Sequence, residues 1–124
     1  MTSEVLTLID AYMKELGLNY AFLQWKGKPE YPYVIGEYSE SDVPSEDGRS
    51  EATFILTGFS RTTAFDLELI KCQIRNFFYG GKTAITSSGN GIAIFYSNAF
   101  PVPTEDAELK KIQINLIIKE WKVN

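Results

Sequence analysis

A chain of 124 residues, 44% of them apolar, has room for one core and enough side chains to fill it, which excludes wholesale disorder. The net charge of −4 and pI near 4.8 have the wrong sign for binding nucleic acid by phosphate neutralisation, and no apolar run reaches the roughly 20 residues that span a bilayer. Histidine is absent, which removes the commonest general base, the commonest zinc ligand and every Ser-His or Cys-His nucleophile.

In chain order, the first element is an amphipathic helix over residues 3–16. Val5, Leu6, Ile9, Met13 and Leu16 recur at helical spacing, Thr2 or Ser3 stands where a cap is needed, and Gly17 follows the last turn. The start "MTSEVLTLID" lacks the basic opening of a signal peptide, so a cytosolic protein is expected. Residues 20–25, "YAFLQW", are short, aromatic and β-prone, and the following "GKP" reads as a turn. A second strand is expected over residues 33–38, entered through Pro32, and a third over residues 52–59.

Between those two strands runs "SESDVPSEDGRSE". Residues 37–51 hold six acids (Glu37, Glu40, Asp42, Glu46, Asp47, Glu51) against Arg49, a net of −5, so the rest of the chain sums to +1. Val43 is the sole aliphatic residue there, and residues 39–51 are expected to form a mobile acidic loop that orders on assembly.

A second helix starts at "TTAFD", where Thr63 and Asp66 have the spacing of a capping box. Leu67, Ile70, Ile74 and Phe77 give it an apolar face, and Gly80 and Gly81 end it. "TAITSSGNG" reads as loop before a strand at residues 92–97, and "AFPVPTEDAE" as a proline-stiffened connector. In the closing "KKIQINLIIKEW", Ile112, Ile114, Leu116 and Ile118 share one parity, while Lys111, Gln113, Asn115 and Lys119 share the other. Such alternation describes a strand with one face on a core and the other toward water or a partner. The expected order is α-β-β-β-α-β-β. It describes a single α+β domain in which the three central strands form a meander and two helices lie on one face of a mostly antiparallel sheet.

Candidate chemistry is sparse. Cys72 is a lone cysteine within a helix, without a partner base or an N-terminal field to lower its pKa, and reads as a small packed residue. "DVPSEDG" does not match the ligand spacing of an EF-hand, and "GNG" precedes a strand, where a phosphate-binding glycine loop would precede a helix. No catalytic residue, metal ligand or cofactor is expected. Aromatics are in surplus: Tyr20, Trp25, Tyr31, Tyr33 and Tyr38 crowd the first strands and Trp121 ends the last. Base stacking on the sheet is one reading, but the neighbouring acids repel phosphate, so core packing plus a protein interface is preferred.

The element order, with "YPYVIGEYSE", the acidic loop, "EATFILTGFSR", "AFDLELIKCQIRNFF" and "KKIQINLIIKEW", resembles the tail terminator, or tail completion, proteins of long-tailed bacteriophages over nearly the whole chain. The resemblance implies a non-enzymatic ring, usually of six copies, that caps the tail tube, halts its polymerisation and presents a surface to the filled head. The partners it implies are further copies of the chain, the tail tube protein and a head connector, with neither specific nucleic-acid binding nor a membrane. It implies a place at the tail-head junction of the virion, after assembly in the host cytoplasm. Residues 109–124 carry Lys110, Lys111, Lys119 and Lys122 against Glu120. The expected interface residues are Glu40, Asp42, Glu46, Asp47 and Arg49 of the acidic loop and Lys110, Lys111, Lys119 and Lys122, with Tyr31 and Tyr38: the loop either approaches a basic surface of the neighbouring copy or of the tail tube, or lines the lumen, where like charge lets DNA pass. A small non-enzymatic binding module using the aromatic strands, or another phage neck or head-closure protein, is the alternative.

Overall fold

The computed structural model describes residues 1–40 and 49–123. Its elements are α1 (Ser3–Glu15), β1 (Tyr20–Phe22), β2 (Tyr33–Glu40), β3 (Arg49–Ser60), α2 (Ala64–Phe77), β4 (Lys82–Ile85), β5 (Gly91–Pro101) and β6 (Lys110–Trp121). The strands form one sheet in the order β1-β2-β3-β6-β5-β4. The β1–β2 pairing is parallel and the other neighbouring pairs are antiparallel, so the sheet is mixed.

The α+β class and the two helices agree with the sequence reading, while the strand list needs correction: β1 stops at Phe22, short of the expected residue 25, β5 runs on to Pro101 into the expected connector, and three larger differences follow. First, β1 and β2 run parallel, so the expected meander is absent. Leu23, at φ 69, and the Gln24 N–H bond to the Phe22 carbonyl turn the chain back, and residues 23–32 return it to the start of β2. A parallel neighbour needs a connection of that length, whereas a hairpin does not. Second, the segment assigned to loop after α2 contains β4, an edge strand paired with β5 from Lys82↔Ile94 to Ile85↔Gly91. Third, β2 and β3 continue into the acidic segment as far as Glu40 and back to Arg49. Their added residues are largely exposed, so side-chain composition there resembled a loop although the backbone ladder continues. The expected mobility of the loop falls mainly on residues 41–48, outside the described residues.

One face of the sheet is buried. Phe54 and Leu56 on β3, Ile112, Ile114, Leu116 and Ile118 on β6, and Ile92 and Ile94 on β5 meet Val5, Ile9 and Met13 of α1 and Leu67, Ile70 and Ile74 of α2 in a single cluster. Phe78, just past α2, is also buried in it, and Tyr12 packs edge-on against both Phe77 and Phe78. At the start of α2, Thr63 Oγ1 accepts from the Asp66 N–H at 3.3 Å, as the capping spacing required. The Asp66 carboxylate is turned instead to the Ser60 hydroxyl, so the box is half-made. Thr2 stands at the N-cap of α1 without capping by its side chain, because its hydroxyl donates to Glu120 Oε2 at 2.7 Å.

Candidate protein-protein interface

The face opposite the helices is built from the other parity of each strand. Its rows, read across β2, β3, β6 and β5, begin with Tyr33, Phe59 and Lys111 at one end. Ile35, Thr57, Gln113 and Phe100 follow, then Glu37, Ile55, Asn115 and Asn98, then Ser39, Thr53, Ile117 and Phe95. The last rows hold Glu51, Lys119, Ala93 and Thr83, then Arg49, Trp121, Gly91 and Ile85. No helix covers this face, and most of its large side chains are half-buried by one another.

The two strand ends differ in chemistry. At one end Trp25 and Tyr31 lie 5.1 and 5.2 Å from Tyr33, which stacks on Phe59 at 5.0 Å. Two cations border this aromatic corner. Arg61 lies over the Tyr31 ring, donates to its hydroxyl at 3.2 Å and forms an ion pair with Asp106 at 2.9 Å. The Lys111 ammonium lies over the Phe59 ring at 5.6 Å, and among the described residues no carboxylate pairs with it. Desolvation holds the Tyr33 hydroxyl above its usual pKa despite Arg61. The Glu108 N–H, followed by Arg61, holds Asp106 below the usual value.

The opposite end carries the roots of the acidic segment. Glu40 closes β2 and its carboxylate pairs with the Met1 ammonium, while Glu51, in register with Lys119, lies 4.0 Å from Arg49. Glu4 accepts hydrogen bonds from the Ser88 hydroxyl and N–H, and these, with Thr86, hold its carboxyl below the usual range. Beside them Glu120, 2% exposed, accepts from Thr2 and from Asn90 Nδ2 at 3.1 Å.

The expected interface residues are therefore distributed rather than gathered. Asp42, Glu46 and Asp47 lie outside the described residues. Arg49 is opposite Trp121 on the open face. Lys111 and Lys119 share that face but stand eight residues apart on β6, roughly 26 Å. Lys110 turns to the Ala107 carbonyl at 2.7 Å, Lys119 covers the Phe95 ring at 5.4 Å, and Lys122 follows the end of β6. Tyr31 belongs to the aromatic corner, whereas Tyr38, on the helix-bearing face, stacks on Phe22. The buried position of Glu120 was missed, although its parity with Ile112 and Ile118 signals it. Among the described residues no group of three or more Cys, Asp or Glu is arranged to hold a metal ion, and no helix is long and apolar enough to cross a membrane.

No protein family and no curated protein matches the chain. Solved structures share its fold: in one, the likeness covers 98% of this chain and 94% of the other, with a TM-score of 0.72 and 12% sequence identity, and the name of that protein carries no functional description. At that identity the likeness shows the fold alone.

Proposed function

We propose that this protein is a structural assembly component, the tail terminator of a long-tailed bacteriophage or prophage, acting as a ring of its own copies that caps the tail tube and receives the head. The observation that carries the reading is a sheet with two chemically different ends. With strands set along the ring axis, Glu40 and Glu51, near the adjoining ends of β2 and β3, stand toward one rim. The corner of Trp25, Tyr31, Tyr33, Phe59 and Lys111 lines the other rim. A terminator needs two such rims, because it meets the tube on one side and the head connector on the other. Chemically distinct rims orient the ring, and the charges they carry speed encounter more than they tighten the complex. The separation of Lys111 from Lys119 favours this arrangement over an acidic loop closing on one basic patch of the neighbour.

The second reading, a binding module that uses the aromatic corner, is supported by the half-exposed rings of Trp25 and Tyr33. Negative-stain microscopy of the purified protein, alone and mixed with tail tube ends, separates the two. A closed ring seated on tube ends supports the terminator. A protein that stays monomeric and leaves tube ends bare supports the binding module. Gene neighbourhood separates the same two readings, since a terminator should lie among genes for head connectors and tail tube protein, whereas a binding module need not.

A further inference from the structure

The two side edges of the sheet are stepped in opposite senses. On one side β1 projects beyond β2 beside Val34, Ile35 and Gly36, and among the described residues nothing pairs with residues 37–40 on that side. On the other side β4 projects beyond β5 beside residues 91–94, and among the described residues nothing pairs with the outer side of residues 95–101. Each projection stands at the level of the opposite recess. Followed across the sheet, the rows of Tyr20, Ala21 and Phe22 end at Pro101, Phe100 and Ala99, and the row of Lys82 ends at Glu40.

Main-chain direction agrees. The Val34 N–H donates to the Asn19 carbonyl and the Leu23 N–H to the Gly36 carbonyl, so Ala21 bonds toward β2 while Tyr20 and Phe22 turn their groups outward. The Val102 N–H donates inward to the Lys111 carbonyl, so alternation turns Ala99 and Pro101 outward. β1 and β5 run in opposite directions, and side by side they make an antiparallel pair. Its bonds are the Tyr20 N–H to the Pro101 carbonyl, the Phe22 N–H to the Ala99 carbonyl, and the Ala99 N–H to the Phe22 carbonyl. Pro101, which has no N–H, is asked only to accept. Side-chain sizes match as well: Phe22 stands opposite Ala99 on the helix-bearing face, and Ala21 opposite Phe100, 41% exposed, on the open face.

A second feature lies in the same register. Beside the free part of β5 is a hollow of about 250 Å³ lined by Phe78, Tyr79, Gly81, Phe95 and Tyr96. Tyr38 shares the row of Tyr96, and its ring, 37% exposed, is on the helix-bearing face. The connecting turns have room. Leu23 follows Phe22 at the level of Glu37, three residues above the level of Lys82. Past Leu23 the chain crosses to the open face, where Trp25 packs on Tyr33, whereas Gly80 and Gly81 reach β4 from α2 on the other face. The outer edge of β4 then lies beside Glu40 and the chain past it, outside the described residues.

We infer that a second copy of this chain occupies each edge: β1 of one copy adds antiparallel to residues 99–101 of the next, Phe22 level with Ala99, and Tyr38 enters the hollow beneath. The inference rests on the ring reading and deepens it by naming the contact between subunits. Because the paired residues share rows, one copy is carried to the next without sliding along the strands. A slide would accumulate into an open helix, whereas its absence permits a closed ring, and two different surfaces make the contact head-to-tail. Lys82 stands level with Glu40 of the neighbour on the same face, and this opposite charge sets register more than it adds affinity.

The test is an Ala21→Cys, Phe100→Cys double variant in a Cys72→Ser background, oxidised while folded and run without reductant. In a non-hydrogen-bonded antiparallel pair the two Cα atoms are about 4.5 Å apart, within disulfide reach. In one chain the same residues are four strand spacings apart, roughly 19 Å, so only copies can be joined. Covalent multimers ending in one closed species are expected, with each single-cysteine control giving none beyond a dimer. Ala99→Pro removes an outward N–H while Asn98 and Phe100 keep their pairing with β6. It should abolish the ring at unchanged circular dichroism, and Ala99→Ser should retain it. If native mass spectrometry shows a ring that neither cross-links nor responds to Ala99→Pro, this contact is overturned and the ring reading stands. A chain that remains monomeric, alone and with tube ends, and yields no cross-link overturns both.

Discussion

Gly36 tests the packing that positions the open half of β2. It is buried opposite Leu56, and a Cβ placed on it would stand 2.5 Å from the Tyr20 hydroxyl oxygen and 2.8 Å from the Cε1 and Cζ atoms of Phe54. Non-bonded carbons settle near 3.5–4.0 Å, so Gly36→Ala forces the Phe54 ring or β2 to move by about 1 Å. Phe54 is fully buried in the cluster that joins both helices to the sheet, so its ring has no room to turn aside. Overpacking of this kind costs roughly 1–3 kcal/mol, and reduced freedom of the unfolded chain returns about 0.5–1 kcal/mol. A net loss of about 1–2 kcal/mol is expected, a fall in Tm of roughly 4–8 °C for a domain of this size. Urea unfolding followed by tryptophan fluorescence and by circular dichroism measures it. Tyr20→Phe removes one of the clashing atoms, so Gly36→Ala in that background should lose less than the sum of the single changes. A Gly36→Ala protein as stable as the parent would refute the packing reasoning.

Glu120→Ala leaves Asn90 Nδ2 and the Thr2 hydroxyl without their buried acceptor and should cost about 1–3 kcal/mol in chemical denaturation, with Glu120→Gln costing less. Asp106, held below its ordinary value of 3.8, contributes stability that is present above that value and lost as pH falls through the lower folded value. Its carboxyl resonance should titrate below 3.8, and Arg61→Ala should move the midpoint only part of the way back, because the Glu108 N–H is the larger cause. Tyr20, whose ionisation is raised by burial, should be the last tyrosine to ionise in a spectrophotometric titration. Replacing Glu40, Asp42, Glu46 and Asp47 with Ser should slow docking to the tail tube and flatten its salt dependence while leaving the ring closed. Docking rates unchanged at low and high salt would remove the acidic rim from the mechanism.

The parts of this fold legible in sequence are those where side-chain periodicity and burial coincide. The alternation of β6 and the helical spacing of α1 and α2 are written in residues that all reach one core. β4 was not legible because only four residues pair, two of them exposed, and Gly and Ser in the adjoining turn dominate the window. Its strand character comes from the partner β5. The direction of β1 depends on a backbone turn at Leu23, a residue whose side chain gives no sign of φ 69. For the interface, charge counts identified the acidic segment and the lysines but not their separation, which follows from which parity of β6 faces which side. That same parity buries Glu120 while placing Lys119 on the open face.

The most direct test of the central claim is electron microscopy of lysates from the parent phage or prophage with this gene deleted. Overlong or uncapped tails beside separate, DNA-filled heads are the expected result, restored to joined virions when the intact gene is supplied. Normal virions from the deletion would contradict the account.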